Sequence, residues 1–129
     1  LGEIVEARGH KANRGGFYDV ADTVTASFRF RSGLVGTGAW CFVAPPSAAE
    51  DSVVVTGRKG SVRFSTFAFT PVELVTAQGV ERFEIASPEH IQGPLIETIV
   101  RELRGEGLCP STGITAARTS RVMDEIMKE

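Results

Sequence analysis

Thr23-Val-Thr-Ala-Ser-Phe-Arg-Phe-Arg31, with the Ser32-Gly33 pair and the run Leu34 to Val43 that follow, is the stretch that decides the fold. Val24, Ala26, Phe28 and Phe30 share one face, and Thr23, Thr25, Ser27, Arg29 and Arg31 share the other. A period of two predicts a strand with one buried and one polar face. Ser32-Gly33 predicts a tight turn, because glycine reaches the positive φ that a two-residue hairpin requires. Leu34 to Val43 then returns as the partner strand. Gly36 and Gly38 within it predict a bulge or a close approach by another backbone.

Working outward, Leu1 to Gly9 reads as a strand that precedes this hairpin. Pro45-Pro46 breaks the pattern after it. Asp51 to Thr56 and Ser61 to Thr66 are strands about the turn Gly57-Arg58-Lys59-Gly60. Val72 to Ala77 and Val80 to Ile85 are strands hinged at Gln78-Gly79. Links this short make neighbours antiparallel, since a parallel crossover needs a dozen or more residues. The last third changes period: Ile91, Leu95, Ile99 and Leu103 recur every fourth residue, as on a helix. Ser87-Pro88 suits an N-cap and first helical position, while Pro94 favours a regular helix beginning only there. Gly105, Gly107 and Pro110 end it. Ser111 or Thr112 caps a second helix whose expected inward face is Ala116, Thr119, Met123 and Ile126. The expected fold is α+β: an open, mostly antiparallel β-sheet of about six to seven strands, with two C-terminal helices covering one face. Residues 1–129 are read as one domain.

Composition narrows the function. Of 129 residues, 42% are hydrophobic and 23% charged, with a net charge of −2 made of interspersed signs. That is a globular composition, and it shows no basic stripe for nucleic acid or an anionic membrane. No apolar run approaches the ~20 residues of a spanning helix. Cys41 and Cys109 lack C-x-x-C partners; two cysteines could form one disulfide, but Cys41 lies in an apolar strand, where a buried free thiol is the expectation, with a reduced, cytoplasmic setting. The chain opens inside a strand without an initiator Met, which reads as a portion of something larger.

No cofactor or catalytic motif emerges. Gly36-Thr37-Gly38 lacks the third glycine of G-x-G-x-x-G and lies within a strand. Gly57-Arg58-Lys59-Gly60 has hairpin spacing, not phosphate-loop spacing. His10 and His90 have no metal-ligand spacing around them beyond the adjacent Glu89. Cys41 has no paired base, and the pairs Glu50-Asp51 and Asp19/Asp22 are explained by turn capping and solvation at strand ends. The richest segment is the polar, glycine-bearing loop from Asn13 to Asp19, read as either a functional loop or a flexible connector.

The run from Asp22 to Trp40 resembles a central hairpin of the Gfo/Idh/MocA oxidoreductases: an acidic residue, an alternating strand, a Gly turn and a second strand. Val53 to Phe64 is similar to that family's next hairpin, and Cys109-Pro-Ser-Thr-Gly113 with its Ala-rich helix is similar to the terminal helix. Together these matches span about Leu1 to Met127. The resemblance implies the C-terminal domain of a two-domain enzyme of the glucose-fructose oxidoreductase type, whose N-terminal Rossmann domain binds NAD or NADP. It implies hydride transfer to or from a sugar, cyclitol or similar small polyol. The family's Glu-Lys-Pro motif belongs to the Rossmann portion, and its Asp-x-x-x-His pattern cannot be placed here. His90 is not assigned the catalytic role, so no catalytic, cofactor-binding or metal residue is named.

The resemblance implies that the Val43–Asp51 segment approaches substrate, and the Asn13–Asp19 loop is expected to meet it as well. Arg14, Tyr18 and Glu50 are the chosen residues, because a guanidinium, a phenol and a carboxylate each hold sugar hydroxyls. A homo-oligomer through the sheet face is also expected, with Trp40, Phe42 and the three valines at 53–55 as its contacts. The chain would be inactive alone, partnered by the Rossmann domain of its parent. The alternative is a stand-alone, non-catalytic dimerisation or small-ligand-binding module.

Overall fold

The structure is a computed structural model and describes residues 1–128. It contains seven strands and two α-helices, and every strand pairing is antiparallel. This is the α+β architecture expected from the change of period. The chain forms two compact units: residues 1–46 with 109–129, and residues 47–108.

The first unit is built on the alternating stretch. β1 (Ile4–Ala12), β2 (Thr23–Phe30) and β3 (Val35–Cys41) form a three-stranded sheet in that order. Ala7 pairs with Phe28 and Phe28 with Gly36, while Val24 lies between Lys11 and Trp40, so β2 is the central strand. The expected faces are found: Ala26 is buried, Val24 and Phe28 are half-buried, and Thr25, Ser27 and Arg29 face solvent. Gly38 is closely approached, but by a side chain rather than by the expected backbone. The Trp40 ring lies where a Gly38 side chain would begin, with a carbon 2.3 Å from an ideal Cβ position, and meets Phe28 edge-on at 6.4 Å.

The second helix, α2 (Gly113–Met127), packs on β1 of this sheet. Ala7, Ala26 and Ile126 form the core, with Ile4, Val24, Phe28 and Val122 against it. Two polar ties fix the helix: Lys11 Nζ donates to the Met127 carbonyl at 2.6 Å, and Arg121 donates to the Ile4 carbonyl at 2.8 Å. Of the two candidate caps, Thr112 is the one used. Its side chain accepts the Thr115 N–H at 3.3 Å, while Thr115 Oγ1 accepts the Thr112 N–H at 2.8 Å. The expected inward face needs correction. Val122 is half-buried and Ile126 buried, whereas Met123 is 54% exposed and Ala116 is solvent-facing. Ile126 sets the helix rotation, because it seats against Gly9 of β1, where an added Cβ would lie 2.6 Å from its Cγ2.

In the second unit β4 (Val53–Gly57), β5 (Gly60–Phe64), β6 (Val72–Thr76) and β7 (Gly79–Phe83) form a four-stranded meander. The hydrogen-bonded ladder is therefore interrupted between β3 and β4, where Pro45-Pro46 leads into a short 3-10 turn, Pro46–Ala48. Val55, Val62 and Leu74 stand in one cross-strand row, and Val54, Arg63, Glu73 and Arg82 in the row behind it. α1 (Gly93–Leu103) has Pro94 in its first turn, as expected, and no side-chain cap, so Ser87-Pro88 does not start it. Arg104 caps its end. Gly105, at φ +74°, donates to the Glu102 carbonyl, and Glu106 donates to that of Arg101, the paired bonds of a Schellman stop.

Candidate functional site

The Asn13–Asp19 loop joins β1 to β2 within the first unit, and its shape is imposed by two side chains. Asp22, fully buried, is the first. Its Oδ1 accepts the Arg14 N–H at 2.9 Å, its Oδ2 accepts the Gly15 N–H at 2.7 Å, and the Thr23 hydroxyl donates to Oδ1 at 2.9 Å. The Arg14 N–H, more than any other group, holds the Asp22 carboxyl below its ordinary range, helped by Gly15 and Thr23 against the opposing effect of burial. Asn13 is the second. Its Oδ1 accepts the Gly16 N–H at 2.8 Å and its Nδ2 donates to the Tyr18 carbonyl.

With its backbone turned inward, the loop leaves its larger side chains to solvent. Arg14 is exposed, Phe17 is 80% exposed and Tyr18 44%. Two of the three sequence-chosen residues thus share one ordered loop. Glu50 belongs to the second unit, where its carboxylate faces Arg63 at 3.2 Å. Its neighbour Asp51 is turned to structural use, accepting from the Ser65 hydroxyl, the Phe67 N–H at 2.5 Å and the Ala68 N–H at 3.3 Å. The capping role expected for the paired carboxylates therefore describes both Asp22 and Asp51. The sequence reading gave no loop-ordering role to Asn13 and did not name the amides that Asp22 caps. The signal for both was Asn-x-Gly-Gly closed by an acid at the head of the next strand.

A groove of about 690 Å³ runs between β1 and α2, with His10, Arg121 and Lys128 among its lining residues. Its charges are already engaged: Glu6 with Arg29 at 2.8 Å, Lys128 with Glu125 at 2.5 Å, and Arg121 with the Ile4 carbonyl. Neither Arg14 nor Tyr18 lines it. Among the described residues, no helix is long and apolar enough to cross a membrane.

Comparison with solved proteins places this geometry. An oxidoreductase from Agrobacterium radiobacter, solved with NAD+, L-tartaric acid and magnesium, superposes on 96% of this chain with a TM-score of 0.78 at 13% identity. The UDP-N-acetylglucosamine 3-dehydrogenase GnnA from Acidithiobacillus ferrooxidans covers 97% with a TM-score of 0.76 at 16% identity. A levoglucosan dehydrogenase, solved with NADH and levoglucosan, covers 98% with a TM-score of 0.70 at 15% identity. The fold is one that solved oxidoreductases share. This chain spans only 40%, 41% and 44% of those three chains respectively. In sequence it is 30% identical over 102 residues to Oxidoreductase P35 of Formosa agariphila, a match covering 78% of this chain and 30% of that protein. No protein-family model matches the chain.

Proposed function

We propose that this chain is the substrate-side and oligomerisation domain of an NAD(P)-dependent oxidoreductase of the Gfo/Idh/MocA type. Its substrate is a sugar, cyclitol or similar small polyol, and the chain is inactive alone. The observation that carries this reading is the asymmetry of the fold match: nearly all of this chain superposes on oxidoreductases of which it spans about two-fifths. The remainder of such an enzyme, a Rossmann domain, is the partner that would hold NAD or NADP.

The residues present do not fit a dinucleotide. A nucleotide cradle needs a strand, a glycine-rich turn and a free helix N-terminus in series. Here α1 follows a loop, and α2 follows Pro110–Thr112 with its first turn already closed by Thr112 and Thr115. Hydride chemistry belongs to the cofactor and to the domain that orients it. The contribution of this chain is binding: Arg14 and Glu50 engage substrate hydroxyls through charge-assisted hydrogen bonds, and the Tyr18 phenol both donates and accepts. Both units, residues 1–129, serve as one functional domain. Neither Cys41, which is exposed rather than buried as expected, nor Cys109 is in a disulfide, and that suits a reducing cytoplasm.

Fluorescence titration with NADH and NADPH tests the reading. This chain alone should give no saturable signal, while a longer protein carrying it behind a Rossmann domain should bind cofactor and oxidise members of a polyol panel. Saturable cofactor binding or turnover by the isolated chain overturns it.

A further inference from the structure

We propose that Asp22 is the positioning residue of the Asn13–Asp19 loop. Its buried carboxylate presets the places of Arg14 and Tyr18 without itself touching ligand. The inference rests on the reading that these two side chains meet a polyol.

Asp22 is itself fixed by the sheet. Its N–H donates to the Ala12 carbonyl at the end of β1 at 3.1 Å, and its carbonyl accepts the Phe42 N–H just after β3 at 2.9 Å. The carboxylate therefore projects from a point tied to both outer strands. From there it receives two consecutive loop amides, Arg14 and Gly15. Space enforces the same arrangement. A Cβ on Gly15 would lie 2.7 Å from Val43 Cγ1, 2.9 Å from the Phe17 ring and 3.1 Å from Asp22 Oδ2, so only glycine brings its N–H this close. Gly16, at φ +66°, then turns the chain so that Asn13 can close it from the other side.

A connector with no further task would leave these amides to water. Burying a carboxylate is unfavourable unless every oxygen is matched, and here two of the three matching donors are amides of one loop, the third being the Thr23 hydroxyl. An ordered loop loses little conformational entropy when ligand arrives, so the ordering acts on affinity. The backbone at Arg14 and Tyr18 is consequently held in place before any ligand is present.

The test compares the chain with Asp22→Asn, Gly15→Ala and Ile126→Ala. Asparagine keeps the size and one acceptor but aims an amide nitrogen at a donor. Ile126→Ala destabilises the same unit while leaving the loop intact. Amide hydrogen exchange at Arg14 and Gly15 should accelerate by roughly tenfold or more in the first two variants, while β2 amides change little. Trypsin should cut after Arg14 in those two only. In amide NMR spectra titrated with levoglucosan and with myo-inositol, resonances of the loop should shift in the parent chain and in Ile126→Ala. Those shifts should fall at least severalfold in Asp22→Asn and Gly15→Ala. Unchanged exchange in Asp22→Asn overturns the positioning role, as does an opened loop that responds to polyol as the parent does. If the parent chain responds to neither polyol, the substrate reading fails, and the presentation of Arg14 and Tyr18 to ligand fails with it. The exchange data then still decide whether Asp22 orders the loop.

Discussion

Asp51 shows at the scale of one residue how a carboxylate can be committed to a loop. The Ser65 hydroxyl chiefly, then the Phe67 N–H, lower its pKa from 3.8 to about 2. Because the folded value lies below the unfolded one, the stabilisation is complete above 3.8 and is lost as pH falls through about 2. Asp51→Asn should therefore lower the urea midpoint at neutral pH and flatten its dependence on acid across that window. A variant whose midpoint falls with acid as steeply as the parent's counts against the assignment. Thr112 offers a second check. Thr112→Ala should cost about 1 kcal/mol and Thr112→Ser much less, because only the hydroxyl closes the cap. The sequence showed that carboxylates at 19, 22, 50 and 51 suited caps. It could not show which amides they cap, because Asp22 bonds eight residues back and Asp51 sixteen residues forward, distances that only the folded strands bridge.

Among the elements, periodicity was legible wherever one face is buried against a neighbour. β2 alternates because α2 covers one of its sides, and that alternation reads directly from Val24 to Phe30. Strand ends were less legible, since β1 runs to Ala12 rather than stopping at Gly9. Gly9 stays in the strand because α2 needs its missing side chain, a tertiary demand invisible in local sequence. The same contact explains the rotation of α2: a four-residue spacing back from Ile126 is satisfied by Val122, not by Met123. The two helices should respond differently to truncation. Ile126→Ala removes a buried side chain and should cost about 2–4 kcal/mol. Ile99 lies on α1, is 40% exposed and has no extensive packing against β4–β7, so Ile99→Ala should cost less than about 1 kcal/mol in this chain. Urea denaturation followed by circular dichroism measures both, and equal losses would mean that α1 is seated as firmly as α2.

For the whole molecule, apolar surface is the unresolved quantity. Among the described residues only four hydrophobic ones are buried, Ala7, Ala26, Cys109 and Ile126, while the chain exposes 10465 Å². Even two separate compact bodies, each of half the chain's mass, would together expose only about 8,000 Å². On the four-stranded sheet, half-buried Val55, Val62 and Leu74 form a row that ends on Glu81, flanked by half-buried Val53 and Phe64 and by Phe83, which is 47% exposed, with no extensive contact from α1. An apolar face left partly open in this way is a candidate interaction surface. In the proposed enzyme the sheet face is where subunits meet, so the isolated chain should self-associate at tens of micromolar. Val62→Glu with Leu74→Glu places charge at the centre of that row and should return the mass to that of a monomer. Neither residue is fully buried, so the circular dichroism spectrum should keep its strand signature. Sedimentation equilibrium across a hundredfold dilution reads the result. A parent chain monomeric throughout removes the sheet face as an oligomer contact. Association that survives the double substitution moves the contact elsewhere, with the exposed stripe of Ile96, Ile99 and Leu103 on α1 the next surface to probe.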